Sequence, residues 1–157
     1  MIPRNMASRA LQLSNWFPVV SVTGPRQSGK STLVREVFSD YTYVNLENPQ
    51  TRQQALSDPV GFIRNRPNRL VIDEVQLAPE LFSMIQVASD ESNEPGQYVL
   101  SGSQNFLLLK QITQSLAGRV GLLKLLPLSF LEARAGDGNL TSDSFMLRGG
   151  YPRLYDV

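Results

Sequence analysis

The chain has 157 residues, of which 41% are hydrophobic and 18% charged, and its formal net charge is +1 at pH 7. This composition is typical of one folded globular domain, and no apolar run is long enough to cross a bilayer. Histidine and cysteine are both absent, which excludes disulfides, thiolate or imidazole metal sites and any imidazole base. We therefore expect a carboxylate as general base, oxygen ligands for any metal, and a reducing, cytoplasmic location.

Residues 1–17 predict a lead-in helix, because apolar positions such as Leu11, Leu13 and Trp16 recur among polar ones. Such a helix could pack on the edge of a sheet or serve as a lid or partner surface. The next segment, Pro18 to Thr23, is short, apolar and β-branched. These properties are typical of a buried central strand.

A glycine-containing stretch, G-P-R-Q-S-G-K-S from Gly24 to Ser31, follows this strand and matches the phosphate-loop pattern G-x-x-x-x-G-K-[ST]. Its glycines allow backbone N–H groups and the next helix N-terminus to surround a phosphate. Lys30 would add a charge for the β- and γ-phosphates, and Ser31 would offer a hydroxyl to Mg²⁺. The residues expected to contact a nucleotide here are Gly24, Pro25, Arg26, Gln27, Ser28, Gly29, Lys30, Ser31 and Thr32.

A second strand is predicted over Tyr41 to Leu46. Two short helices should follow, starting at Pro49 and Pro59 with Asn48 and Asp58 as their N-caps. The arginine-rich segment 61–69 could touch a phosphate backbone, or it could be a solvated turn before the next strand.

The run Leu70-Val71-Ile72 predicts a third, buried strand that ends at the acids Asp73 and Glu74. Asp73 is then placed to hold Mg²⁺ or a water in its shell, and Glu74 to orient and deprotonate an attacking water. The adjacent acids favour ATP hydrolysis over nucleotide storage. A pair that merely caps the strand end is the alternative.

Two further polar features follow the Pro79–Glu80 helix start. Strand Tyr98 to Leu100 leads into S-G-S-Q, where Ser103 or Gln104 could hydrogen-bond the γ-phosphate or the water. Arg119 separates a predicted helix, 106–116, from a predicted fifth strand, 120–126. Arg119 could stabilise transition-state charge in its own or a neighbouring chain, or it could simply close a surface turn.

The last predicted helix begins at Ser129, because Ser129 and Glu132 have the spacing of a capping box. Residues 136–144 are rich in Gly, Asp, Asn and Ser and are predicted to form a loop. Alternating strands and helices predict an α/β domain with a parallel sheet and right-handed crossovers.

The phosphate loop together with L-E-N-P, V-I-D-E-V-Q, L-S-G-S-Q, S-L-A-G-R-V and L-P-L-S-F-L-E resembles one prokaryotic AAA-superfamily group of P-loop ATPases. The resemblance covers nearly the whole chain. It implies a three-layer P-loop NTPase fold of the additional-strand (ASCE/AAA) type, with a mainly parallel five-stranded sheet and helices on both faces. In that fold the sensor strand lies between the loop strand and the Walker B strand.

The same resemblance implies ATP and Mg²⁺ as cofactors. By motif position it assigns catalysis to Glu74, Lys30 and Arg119, metal binding to Ser31 and Asp73, and a sensor role to Ser103 or Gln104. We expect a Mg²⁺-dependent ATPase that couples hydrolysis to a conformational change in an attached domain or partner. The alternatives are a nucleotide-gated binding module with little turnover and a P-loop kinase.

Members of this group typically carry a C-terminal domain of uncertain function, and their G-G-Y-P segment leads into it. Here seven residues follow Gly150, so residues 1–157 are predicted to be one ATPase domain and residues 145–157 the start of a connection. The expected partners are ATP and that further domain, with a homo-oligomer left open and no membrane. Nucleic acid is also left open, although the net charge of +1 does not support it. If chains share an arginine as the resemblance implies, hydrolysis by this chain alone is expected to be slow or absent.

Overall fold

A computed structural model describes residues 2–67, 69–103 and 106–156. The strands of these residues form one parallel sheet in the order β2-β3-β4-β1-β5. Their bounds are β1 Val19–Gly24, β2 Thr42–Asn45, β3 Leu70–Asp73, β4 Tyr98–Ser103 and β5 Val120–Lys124. The expected position of β4, between the loop strand and the strand that ends at Asp73, is confirmed.

Helices cover both faces of this sheet and produce the three layers that the sequence predicts. They are α1 Met6–Trp16, α2 Lys30–Val37, α3 Pro49–Ser57, α4 Pro59–Arg64, α5 Leu81–Ser92, α6 Phe106–Ser115, α7 Phe130–Gly136 and α8 Ser142–Arg148, with 3-10 turns at Val75–Leu77 and Pro152–Leu154. In the described part of the chain, no helix has the length and apolar character needed to cross a membrane.

The core is divided between the two faces because side chains alternate along each strand. In β3, Leu70 and Ile72 belong to the cluster that includes α5 and α6, whereas Val71 belongs to the cluster beneath α1 and α2. Strand β1 is buried along its whole length, as a central strand of a parallel sheet should be. The face of α5 that carries Phe82 and Ile85 is buried, as its spacing predicts.

Predicted helix starts are confirmed where a side chain caps the helix. The side chain of Asn48 accepts hydrogen bonds from the backbone N–H groups at the start of α3, and Asp58 does the same for α4. The prediction of a loop up to Ser144 is wrong. Helix α8 begins at Ser142, because Thr141 Oγ1 accepts a hydrogen bond from the Ser144 N–H and Ser144 Oγ accepts one from the Thr141 N–H. A box closed by serine instead of glutamate resembles a polar loop in sequence.

The lead-in helix packs on the sheet edge, since α1 contacts β1, β5 and α2. Just before it, the side chain of Arg4 is only 8% exposed and connects three parts of the fold. Its guanidinium donates to Ser28 O at 2.7 Å, to Leu126 O at 2.6 Å and to Glu132 Oε1 at 3.2 Å. The phosphate-loop backbone is thereby tied to α7 through an ion pair between two buried side chains.

Glu132 accepts hydrogen bonds from other groups besides Arg4. Its carboxylate also accepts the N–H of Asn5 at 2.8 Å and the N–H of Ser129 at 2.9 Å. Burial by itself would raise the pKa of Glu132, but the N–H groups of Ser129 and Asn5 and the charge of Arg4 together lower it from its usual value of 4.5.

We predict that Glu132→Gln destabilises the fold in a pH-dependent way. A carboxyl group with a lowered pKa in the folded state stabilises the protein above the unfolded-state pKa, and this gain is lost as pH falls through the folded-state pKa. The free energy of unfolding at pH 7 should fall by about 1–3 kcal/mol. The difference in the free energy of unfolding between parent and variant should shrink below pH 4.5.

Urea denaturation between pH 7 and pH 3 measures this difference. The matched control is Glu94→Gln, which changes an exposed carboxylate in a turn and should alter stability by less than about 0.5 kcal/mol. If the difference in the free energy of unfolding between the parent and Glu132→Gln stays constant with pH, the assigned charge interaction is contradicted.

Candidate functional site

The phosphate-loop segment connects the end of β1 to the start of α2, the strand-to-helix position that the motif requires. Gln27 and Gly29 both adopt left-handed backbone, with φ of 61° and 93°. A Cβ on Gly24 would lie 2.1 Å from Leu125 O, so this position accepts only glycine. The resulting bend leaves the first N–H groups of α2 without a side-chain cap, which is the arrangement that binds phosphate in such loops.

Lys30 lies at the start of α2 and is only 5% exposed. Its ammonium donates to Pro25 O at 2.7 Å, across the inside of the loop. Burial lowers the pKa of Lys30, while the nearby negative charges of Glu74 and Asp73 act in the opposite direction. The lysine and the two acids therefore occupy one electrostatic site, as the sequence predicts.

Asp73 is 1% exposed and has hydroxyl donors on both carboxylate oxygens. Tyr43 donates to Oδ2 at 2.5 Å, and Ser101 donates to Oδ1 at 2.5 Å. Burial, followed by the hydrogen bond to Asp73, raises the pKa of Tyr43 to about 12, so this hydroxyl stays protonated and continues to donate. Strands β2 and β4 thus fix the orientation of the carboxylate that ends β3.

Glu74 continues from this strand in left-handed backbone, with φ of 56°. Such a conformation costs a non-glycine residue of the order of 1 kcal/mol and is typical of functional sites. The side-chain amide of Gln76 donates to Glu74 Oε2. The other end of that amide, Gln76 Oε1, is buried close to Gly102 of β4. Gln76 therefore connects the glutamate to the strand expected to carry the sensor.

A cavity of about 660 Å³ opens over these groups, and its volume lies within the range of small-molecule sites. Its lining comes from the phosphate loop, the strand ends and the C-terminal segment. The lining residues are Arg26, Gln27, Gly29, Lys30, Ser31, Thr32, Glu47, Glu74, Gln76, Leu77, Ser103, Pro152, Arg153 and Asp156.

Most of the predicted site residues therefore come together. Gly24, Pro25 and Ser28 complete the loop, Asp73 lies buried at the end of β3, and Ser103 reaches the cavity wall. Gln104 lies outside the described residues.

Arg119 is not part of the site in its own chain, so the same-chain form of its finger role is wrong. It precedes β5, and its carbonyl accepts the N–H of Val19, at the start of β1. The phosphate loop leaves the other end of β1, about 16 Å away at the usual rise per residue. The guanidinium of Arg119 pairs with Asp90 at 2.6 Å. A role towards a second chain stays a prediction.

Sequence reasoning missed several groups that the fold brings to the cavity. Glu47 and Gln76 belong to the motifs L-E-N-P and V-I-D-E-V-Q, but no role was assigned to them. Tyr43 lies outside the quoted motifs, and Ser101 lies in L-S-G-S-Q but received no role, because the importance of both comes from the strands beside β3. Arg153 lies in the cavity wall only because the C-terminal segment returns to the loop.

The residues present fit a nucleotide with a hard cation. Ser28 Oγ is buried within the loop and has no hydrogen-bond partner in the described chain, and its neighbours Gln27 and Gly29 both border the cavity. Among described residues, no group of three or more acidic side chains forms a self-sufficient metal site. Asp73 and Ser31 would hold a cation together with phosphate oxygens, as Mg²⁺ sites in such proteins do.

The strand order, the loop between β1 and α2 and the acids that end β3 define a P-loop NTPase of the additional-strand type. Comparison with known families identifies the family within this class, because residues 17–134 match the AAA domain family. The chain belongs to this family of AAA-type P-loop ATPase domains. Nucleotide binding is thus the activity class of its fold.

Individual relatives also match most of this chain. The uncharacterized protein Rv2008c of Mycobacterium tuberculosis is 35% identical over 152 residues, covering 95% of this chain and 33% of its own length. A protein named GTPase HflX from Caldanaerobacter subterraneus is 28% identical over 143 residues, covering 79% of this chain and 33% of its own length. The chain thus spans about a third of the length of the curated relatives it matches.

Among solved structures, the Walker-type ATPase PABY2304 of Pyrococcus abyssi superposes with a TM-score of 0.64 and 18% identity. The match covers 99% of this chain and 66% of that one. At this identity the likeness concerns the fold.

We predict that Gly102→Ala is costly because of Gln76. A Cβ on Gly102 would lie 2.3 Å from Gln76 Oε1, so the glutamine must move or the strand must shift. The free energy of unfolding should fall by about 1–3 kcal/mol, and this cost should be smaller in a Gln76→Ala background, where Leu108 Cδ2 at 3.0 Å remains close to the new Cβ. Chemical denaturation of the four proteins in this cycle measures the coupling.

The control is Gly138→Ala, because a Cβ on Gly138 has no atom within 4 Å. If Gly102→Ala costs the same with and without Gln76, the packing of this amide against β4 is not the constraint.

Proposed function

We propose that this domain binds ATP with Mg²⁺ in the cytoplasm and hydrolyses it, and that hydrolysis changes the conformation of an attached domain or partner. One observation supports the proposal most strongly. Lys30, at the phosphate loop, and Glu74, beside Asp73, border the same cavity, and their charges interact. A cation for phosphate and a carboxylate for water are the two groups that a P-loop ATPase needs.

The phosphates of the nucleotide would bind to the phosphate loop. The N–H groups of Gly29, Lys30 and Ser31 point their positive ends at the phosphates, and the ammonium of Lys30 exchanges Pro25 O for phosphate oxygens. Ser31 and Asp73 would hold Mg²⁺, which when bound neutralises phosphate charge. Asp73 needs little reorganisation, because Tyr43 and Ser101 already orient its carboxylate.

Hydrolysis would follow by in-line attack of water on the γ-phosphorus of ATP. Glu74 orients the water and accepts its proton, a new P–O bond forms, and the bond to the β,γ-bridging oxygen breaks to release ADP and phosphate. Gln76 holds the Glu74 carboxylate on the cavity side. Lys30 and the loop amides stabilise charge as the leaving oxygen becomes anionic.

A nucleotide-gated switch with little turnover is the second candidate, and the position of Arg119 favours it for the isolated domain. Arg119 is paired with Asp90 at the amino ends of the strands, opposite the loop. One chain therefore does not supply this arginine to its own bound phosphate. Fast hydrolysis would then require a second copy or the attached domain.

We predict that two substitutions separate binding from chemistry. Lys30→Ala should weaken ATP binding by at least about tenfold, because the phosphate loses a charge-assisted hydrogen bond in a buried site. Glu74→Gln should keep ATP affinity within about threefold of the parent and lower turnover by about a hundredfold or more, because an amide cannot accept the proton of water.

Calorimetric titration with ATP and a phosphate-release assay measure both effects, and GTP titrated in parallel tests the choice of base. Glu94→Gln, in an exposed turn, is the matched control and should behave like the parent. Unchanged turnover in Glu74→Gln would remove Glu74 as the base.

A further prediction concerns the support of Asp73. Tyr43→Phe removes the donor to Oδ2, so the carboxylate becomes freer to rotate and should hold Mg²⁺ less well. The Mg²⁺ concentration needed for half-maximal ATP binding should rise by about tenfold. Tyr41→Phe is the control, since it deletes a hydroxyl that donates to Gly96 O at 2.6 Å, away from the acids. Equal Mg²⁺ dependence in the two variants would show that Tyr43 does not position Asp73.

A further inference from the structure

The C-terminal strap, which we define as Gly149 to Asp156, borders the nucleotide cavity. Pro152, Arg153 and Asp156 line it together with Lys30 and Glu74. The motifs of the phosphate loop and of the strand ends do not include this segment. Its arginine is therefore a cationic group at the site without an assigned role.

Contacts at both ends hold the strap in place. The N–H of Leu128 donates to Gly150 O at 2.6 Å, and within the strap the hydroxyl of Tyr155 donates to Gly149 O at 2.7 Å. The ring of Tyr155 also packs beside Phe145 in a small apolar cluster. A Cβ on Gly150 would lie 2.4 Å from Leu128 O, so the close approach requires glycine. The position of Arg153 follows from these contacts.

The strap lies against the part of the loop that receives phosphate. Pro152 Cγ is 3.5 Å from where a Cβ on Gly29 would be. Gly29, Thr32, Pro152 and Asp156 also border a second, smaller cavity of about 70 Å³ beside the first. Gly29 to Thr32 form the N-terminus of α2, whose N–H groups are suited to an anion. Arg153 thus stands beside the anion site on a different element from Lys30.

Arg153 is exposed and has no ion pair or side-chain hydrogen bond with any described residue. Other arginines in the described chain, such as Arg64 and Arg119, are paired with carboxylates. A guanidinium that borders an anion cavity and is not committed to a carboxylate is suited to bind phosphate in a bidentate way.

We propose that Arg153 binds the phosphates of the nucleotide and that the strap closes on the occupied loop. This inference rests on the proposed function, because it assigns a further binding residue to the same cavity. Nucleotide occupancy would then also hold the strap in place, and by reciprocity a strap held against the loop would tighten nucleotide binding. Because Pro152 of the strap lies beside Gly29, at the N-terminus of α2, the contact would serve ADP as well as ATP.

The direct test compares ADP and ATP affinities of the parent, Arg153→Ala and Arg153→Lys. Arg153→Ala should bind both nucleotides about tenfold more weakly, and Arg153→Lys should recover part of that loss. Arg64→Ala is the matched control, because Arg64 is in α4, pairs with Glu91 and does not border the cavity; it should bind within about twofold of the parent. Melting temperatures without nucleotide should be equal for the parent and Arg153→Ala.

Trypsin supplies a second measurement that does not depend on affinity. In the parent, saturating ADP should slow cleavage after Arg153 at least about fivefold, because bound phosphate holds the arginine and the strap. Trypsin also cleaves after lysine, so the Arg153→Lys variant can be cut at the same peptide bond. Its protection by saturating ADP should be smaller, because an ammonium cannot bind phosphate in a bidentate way.

The outcomes separate this inference from the proposed function. If the parent binds ADP and Arg153→Ala binds it equally well, the role of Arg153 is overturned while the nucleotide site stands. If the parent binds neither ADP nor ATP, both proposals are overturned. Unchanged cleavage after Arg153 in saturating ADP would overturn strap closure.

Discussion

The site depends on one constraint, the burial of Asp73 at the carboxyl end of an inner strand of a parallel sheet. A carboxylate that is 1% exposed is tolerated only where donors surround it. Strand order supplies them, because β3 lies between β2 and β4. Tyr43 donates from one neighbour and Ser101 from the other. Since the carboxyl ends of parallel strands lie on the same side of the sheet, Lys30 lies near the acids although β4 separates β1 from β3.

Several unfavourable local features lie together at the carboxyl ends of the strands, which is expected where function competes with stability. Lys30 is buried, Glu74 has left-handed backbone, and the hydroxyl of Ser28 has no partner among described residues. The surrounding fold compensates from a distance. Arg4 donates a hydrogen bond to the loop backbone at Ser28 O and forms an ion pair with Glu132 of α7. These two contacts between buried groups connect the strained loop to α7.

The phosphate loop, the acidic strand end and most helix starts could be predicted because each depends on neighbouring residues. Asn48 and Asp58 cap helices whose first residues follow directly. Helix α8 could not be recognised, since Ser144 takes the place of the glutamate that usually closes a capping box. Arg119 misled because its role came from motif position, although it directly precedes β5 and that end of parallel strands lies opposite the loop.

Sequence alone determined the chemistry that nearby residues carry: a glycine-lined loop, a lysine at its end, and two acids after an apolar run. Tertiary structure alone decided which distant residues share that chemistry. Tyr43 and Ser101 reach Asp73 through strand pairing, and Arg153 borders the cavity because the C-terminal strap returns to Gly29. The physical reason is that caps and loops are set by backbone geometry within a few residues. Burial, strand order and chain return arise from the packing of the whole core.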